Sequence, residues 1–195
     1  MSAAAFDIVA VVSSAGGLAA LKQLFSGLSA DFPVPIVVVQ HLSPEHRSMA
    51  ADILARQTPL SVKQAEENDV LNPGTIYIAP PNHHLLANSD KTLALTQTKL
   101  VHFVRPSADV LFESVAESYG ERAIAIVLTG TGSDGASGIR AVKAAGGIVI
   151  VQDLETAEFS GMPSAAIQTG AVDYTLPLSD IASALTRLVN TGTAE

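Results

Sequence analysis

The chain has 195 residues, with 11 Lys and Arg against 19 Asp and Glu, a net charge of −8. Hydrophobic residues make up 48% and charged residues 15%, which excludes a disordered chain, and zero Cys excludes a disulfide framework, Cys-ligated zinc and a thiol nucleophile. The acidic balance argues against nonspecific nucleic-acid binding and against anionic membrane surfaces, both of which run on Lys and Arg.

The N-terminal stretch to Val12 is apolar but has no basic start, and Asp7 interrupts it. It reads as a first strand, Phe6–Val12, and not as a signal peptide. No later segment reaches the ~18 consecutive apolar residues of a membrane span. Leu18, Leu21, Leu24, Phe25 and Leu28 then repeat at helical spacing. Pro33-Val34-Pro35 breaks the chain before a second strand, Ile36–Val39. A helix is predicted from Glu45 to Arg56, ending before Pro59. Four short runs follow: Ser61–Gln64, Gly74–Ala79, His83–Ala87 and Thr92–Gln97. The turn signals between them, such as Pro80-Pro81-Asn82 and Asn88-Ser89-Asp90, predict a β-hairpin region.

Alternation then returns. Helix Ser107–Tyr119 precedes strand Ala123–Leu128, and helix Ala136–Ala145 precedes strand Ile148–Val151. A short helix near Pro163–Thr169, strand Val172–Leu176 and helix Ser179–Val189 close the pattern. The tail Asn190–Glu195 is small and polar and is predicted to fray. Apolar strands alternating with helices predict an α/β fold. It is a doubly wound, mostly parallel sheet flanked by helices, a Rossmann-like three-layer sandwich with a β-hairpin insertion. One domain is expected over 1–195, with its core at about 6–188. In such sheets ligands bind beyond the carboxyl ends of the strands.

Ser13-Ser14-Ala15-Gly16-Gly17 follows the first strand. A Ser on a tight strand-to-helix turn presents its hydroxyl beside free helix N–H groups, the logic of a nucleophile elbow. Two other readings stay open: a helix N-cap, and an anion site made by the same N–H groups. Gln40-His41 ends the second strand. His41 is either a general base or a hydrogen-bonded edge residue. His83 and His84 are adjacent, so in a strand they point to opposite faces and do not share a metal. His102 also lies in the β-rich middle, and His46 is read as a solvated helix-start residue.

The run Thr129-Gly130-Thr131-Gly132-Ser133-Asp134-Gly135 follows a strand and opens a helix. Gly130, Gly132 and Gly135 match the dinucleotide fingerprint, with Asp153 placed as the ribose-binding acid. Alternatively, Asp134 completes a Ser–His–Asp set, or simply caps a helix. Ser14, His41 and Asp134 each follow a buried strand at one sheet edge. A Ser hydroxyl needs a base, and the resulting imidazolium needs a carboxylate, so the combination suits acyl transfer.

These residues carry a resemblance to the catalytic domain of the CheB-type chemotaxis receptor methylesterases. The matching stretches are Ser14–Leu18, Ile36–His41, Ile76–Pro80, Arg105–Asp109, Leu128–Gly135, Val151–Asp153, Gly161–Pro163 and Gly170–Asp173. The resemblance implies Ser14 as nucleophile, His41 as base and Asp134 as its orienting acid. It implies backbone oxyanion donors near Thr131 and Ala15, and Arg105 as a substrate contact. The implied enzyme is a protein-glutamate methylesterase, also able to deamidate glutamine, with no metal or organic cofactor. Its implied partners are the cytoplasmic helical domain of a methyl-accepting receptor and a separate receiver or methyltransferase protein. The implied setting is chemotaxis signal transduction in the cytoplasm, without membrane insertion or nucleic acid. The family's usual receiver domain is not expected before Phe6. Val12-Ser13 stands where the family usually has Gly-Ala, and bulkier residues that alter the turn or narrow access to Ser14 leave open a second reading, a catalytically weak methylesterase-like binding module.

Overall fold

The computed structural model describes residues 4–41 and 49–193. Val- and Ile-rich runs form the central strands β1 (Ile8–Ser13) and β2 (Ile36–Gln40), every residue of which is buried. Then come β3 (Ser61–Gln64), β4 (Thr75–Ile78), β5 (His84–Ala87), β6 (Leu93–Thr96), β7 (Ala123–Val127), β8 (Ile148–Gln152) and β9 (Tyr174–Leu176). The helices are α1 (Gly17–Ser26), α2 (Ala50–Ala55), α3 (Ala108–Tyr119), α4 (Ala136–Ala144), α5 (Gly161–Gln168) and α6 (Leu178–Thr191). The main sheet has seven parallel strands in the order β3-β4-β2-β1-β7-β8-β9.

Alternate strand residues feed two cores. Val9, Val11, Ile36, Val38, Ile124 and Ile126 pack with Leu21, Leu24 and Phe25 of α1 and Ile181, Leu185 and Leu188 of α6. Ile8, Ala10, Val12, Val37 and Val39 pack on the other face with Leu111, Phe112 and Val115 of α3, Ile139 of α4 and Met162 of α5. Each fully buried Leu, Val or Phe contributes roughly 1.5–3 kcal/mol before chain entropy is counted. The three-layer fold expected from the sequence is therefore present.

The hairpin expectation holds for part of this region. Of the four runs, β5 and β6 form an antiparallel pair, from His84↔Thr96 to Ala87↔Leu93. Ser61–Gln64 and Thr75–Ile78 pair in parallel at one edge of the main sheet, Ser61 opposite Thr75 and Gln64 opposite Ile78. The connection through residues 65–74 returns to the start of the previous strand, so β4 runs the same way as β3. The segment expected to fray from Asn190 begins inside α6, which continues to Thr191, and its last two residues lie outside the described residues. Of the helix predicted from Glu45, the described part is Ala50–Ala55, and His46 lies outside the described residues.

Candidate active site

Strand order reverses at β1: the chain winds outward through β2 on one side and returns to β7 on the other. A crevice opens at the carboxyl ends where such a reversal occurs. Ser14 follows β1, His41 follows β2, and the loop 128–135 follows β7. Backbone hydrogen bonds continue beyond the strands and tie these exits together. Ser14 N–H donates to the Thr129 carbonyl at 3.0 Å, His41 N–H to the Ser13 carbonyl at 3.0 Å, and Leu128 N–H to the Val12 carbonyl at 3.0 Å.

Side chains then fix the turns. The buried Ser13 hydroxyl donates to Gln40 Oε1 at 2.5 Å. Gln40 Nε2 donates to the Ser14 carbonyl at 2.8 Å and to the His41 carbonyl at 3.1 Å. One amide thus holds the backbone on both sides of the crevice. A Cβ on Gly17 would sit 2.2 Å from Gln40 Oε1, so the close approach needs glycine. A Cβ on Gly130 would sit 2.3 Å from Met162 Sδ and 2.8 Å from Ser14 Cβ. Val12 and Ser13 are both fully buried. Their bulk is absorbed by the core and by Gln40, while Ser14 stays on the cleft wall.

His41 Nε2 lies 2.8 Å from Asp134 Oδ2. Asp134 is 5% exposed and accepts three further hydrogen bonds. Ala108 N–H donates to Oδ2 at 2.6 Å, the Ser107 hydroxyl to Oδ1 at 2.8 Å, and Asp109 N–H to Oδ1 at 3.2 Å. Ser107 is the N-cap of α3, so the carboxylate sits on that helix's N-terminus, where the dipole favours an anion. Burial pushes the Asp134 carboxyl up, but the bonds from His41, Ala108 and Ser107 outweigh it and hold the group below the usual carboxylate range. An ionised Asp134 can only accept, so a neutral His41 carries its proton on Nε2 and leaves the Nδ1 lone pair free to accept.

Ser14, His41, Thr131 and Asp134 line one cleft of about 250 Å³. Among the described residues, the backbone N–H groups of Ala15 and Thr131 have no acceptor. The structure therefore gathers the residues singled out after three different strands around one space.

The CheB methylesterase family model matches residues 9–185. The chain belongs to the CheB methylesterase family. A Leptospira interrogans relative is 41% identical over 183 residues, covering 94% of this chain and 95% of that one. A Rhizobium meliloti relative named protein-glutamate methylesterase/protein-glutamine glutaminase of group 3 operon is 40% identical over 181 residues, covering 93% of this chain and 51% of that protein. The crystal structure of the Thermotoga maritima CheB methylesterase catalytic domain superposes with a TM-score of 0.91 at 40% identity, covering 94% of this chain and 99% of that one.

Within this CheB methylesterase domain, Arg105 is tightly held. Its Nε and Nη2 donate to Asn82 Oδ1 at 3.0 and 2.5 Å, and Nη1 donates to the Gln97 and Thr98 carbonyls at 3.1 and 2.7 Å. It borders a second cavity, of about 170 Å³, that also reaches His41. Asp109 Oδ1 accepts the N–H groups of Gly135 and Gly138 at 3.0 and 2.7 Å. That carboxylate occupies the N-terminus of α4, where the dinucleotide reading would need to seat a pyrophosphate. Asp153 caps its own turn, with Oδ1 accepting Glu155 N–H at 2.9 Å.

His102, Asp109 and Asp134 each bring a ligand atom within 4.8 Å of the others. Both Asp134 oxygens and Asp109 Oδ1 accept N–H or O–H donors, and Asp109 Oδ2 is paired with His102 Nε2 within the cluster. His84 accepts Ser107 N–H on Nδ1 and bonds the Lys99 carbonyl through Nε2, both at 3.1 Å, while His83 bonds Pro81. Sequence reasoning gave no separate role to Gln40, Ser107, Asp109 or His102. A polar residue closing an apolar strand was the available signal for Gln40. A Ser directly after Pro at a helix start was the signal for Ser107.

Proposed function

We propose that this chain is a protein-glutamate methylesterase acting through Ser14, His41 and Asp134. The observation that carries the reading is the 2.8 Å His41–Asp134 bond in the cleft that Ser14 lines. Ser14 Oγ attacks the carbonyl carbon of a glutamate methyl ester while His41 Nδ1 takes the hydroxyl proton. The tetrahedral oxyanion accepts hydrogen bonds from the Ala15 and Thr131 N–H groups. The C–O bond to the methoxy group breaks, and His41 returns the proton to release methanol. Water, deprotonated by His41, then splits the acyl ester, leaving a glutamate carboxylate and a free Ser14. Asp134 holds the ring and stabilises the imidazolium. A glutamine amide follows the same path and releases ammonia.

The substrate in this reading is the cytoplasmic helical domain of a methyl-accepting chemoreceptor. The chain works as one catalytic domain in the cytoplasm, with a receiver or methyltransferase protein as partner. A net charge of −8 gives no long-range pull toward an acidic receptor, so docking rests on local shape and apolar contact. Among the described residues no helix is long and apolar enough to cross a membrane. Methanol release from methylated receptor fragments tests the reading. Wild type releases methanol, and Ser14→Ala lowers kcat by several orders of magnitude. A folded Ser14→Ala protein with full activity would overturn it.

A further inference from the structure

Between β6 and α3 the chain makes a turn with an unusual composition. Val101 N–H donates to the Val104 carbonyl at 3.2 Å, and Val104 N–H returns the bond at 2.9 Å. The two residues between them, His102 and Phe103, both have positive φ, 49° and 64°. A two-residue loop with both central residues left-handed is the mirror-image hairpin turn that favours Asn-Gly. Here two bulky L side chains occupy it, against their conformational preference. Such backbone persists only where surrounding structure imposes it, and it concentrates at ligand clamps.

The clamp in this case is visible. His102 Nε2 bonds Asp109 Oδ2 at 3.0 Å, and Asp109 is anchored in turn by the N-terminus of α4. His102 reaches Asp109 through Nε2 while its side chain stays 54% exposed, and Phe103 beside it is 95% exposed. Leu100 beside it is 54% exposed. The Phe103 ring gains almost no burial within the fold from that position. Phe103, Leu100, Val104 and Pro106 wall the cavity of about 170 Å³ that borders His41 and Arg105. A cavity of ~150 Å³ with apolar walls holds a benzene-sized ring, so this one fits a single Leu, Met or Phe side chain.

His41 and Val104 line both this cavity and the cleft of Ser14. A protein chain that places an esterified glutamate on Ser14 therefore lies across the cavity mouth. We infer that the cavity is a specificity subsite, and that its occupant is an apolar side chain of the substrate protein next to the reacting glutamate. This inference rests on the methylesterase reading. On a helical substrate the neighbour sharing the glutamate's face lies three or four positions away. Phe103 is the specificity-determining residue, and His102 is the positioning residue that fixes the turn carrying it.

The test compares two esters: a methylated receptor fragment, and a small glutamate γ-methyl ester that cannot reach the subsite. Phe103→Asn keeps a residue tolerant of positive φ and removes the apolar wall, and Phe103→Leu keeps an apolar wall. Phe103→Asn is expected to raise KM for the receptor fragment about tenfold, the worth of one lost apolar contact, with kcat unchanged. It leaves turnover of the small ester at the wild-type level. Phe103→Leu restores most of the affinity. In the fragment, replacing the apolar residue three or four positions from the glutamate by Asp raises the wild-type KM similarly and adds little to Phe103→Asn. Unchanged KM with Phe103→Asn, or equal loss on both esters, overturns the subsite while leaving the esterase intact. Wild-type protein that cleaves the small ester but no receptor fragment overturns the substrate assignment and the subsite with it. Failure on both esters overturns the methylesterase reading itself.

Discussion

Asp134 and Asp109 serve each other's helices. Asp134 precedes α4 and accepts N–H groups at the start of α3, while Asp109 belongs to α3 and accepts N–H groups at the start of α4. Each carboxylate satisfies N–H groups that a helix start leaves without partners, and each sits where the dipole favours negative charge. Asp134 also bonds His41 Nε2, so the exchange ties His41 to the packing of two helices.

Asp109→Asn should therefore act on both stability and rate. It removes the charge that two backbone donors share and disturbs the frame holding Asp134. A loss of about 1–3 kcal/mol is expected, read from the urea midpoint. At temperatures where the variant is folded, kcat should fall while KM for a small ester holds. An unchanged kcat would show that Asp134 keeps its geometry without this partner.

Acid stability should carry the signature of Asp134. Its folded pKa lies below the unfolded value of 3.8. Between those two values the unfolded chain binds more proton than the folded one, so stability rises with pH there. The contribution is present in full above the unfolded value and is lost as pH falls through the folded pKa. The stability difference between wild type and Asp134→Asn should thus shrink as pH falls below 3.8. A difference that stayed constant to lower pH would contradict the assignment.

Gln40→Met should leave the Ser13 hydroxyl buried without an acceptor and free the Ser14 and His41 carbonyls. The expected cost is about 1–3 kcal/mol, with reduced kcat. Adding Ser13→Ala replaces both members of the pair with apolar groups and should recover part of the stability. The activity should stay low, because the clamp on Ser14 and His41 remains broken. A double-mutant cycle with denaturation and kcat measured in parallel separates the two effects.

Gly130→Ala tests the close approach behind Ser14, the proposed nucleophile. The new methyl meets Met162 Sδ and Ser14 Cβ at distances that real Cβ atoms do not show. Displacing a reacting atom by about 1 Å can cost ~100-fold in rate. Met162→Ala in the same chain makes room on the sulfur side only. It should restore thermal stability more than it restores kcat.

The fold was legible because the strands are apolar on both faces and the intervening helices repeat at 3.6 residues. The edge was harder. In β3 the two ends are exposed and only the middle is half-buried, so the run gave no sign of which sheet it joined. Ser14, His41 and Asp134 stood out because each directly follows a buried strand. The partners at the start of α3 did not, because they lie 25 to 27 residues away, and two of the three bond through backbone N–H groups common to all residue types. The His102–Phe103 turn was hidden for the opposite reason. Its residues are not those a left-handed turn favours, so composition pointed away from the conformation found.

The bonds joining the exits of β1, β2 and β7 divide what can change in this enzyme from what cannot. The amides of Ser14, His41 and Leu128 are extensions of the most deeply buried strands, so they open to solvent only when the whole domain does. The Val101–Val104 turn hangs outside that unit on a single side-chain anchor. Chemistry and folding therefore form one inheritance, passed on together or lost together. The choice of target sits on a separable tip, free to drift from one lineage to the next without endangering the catalyst behind it.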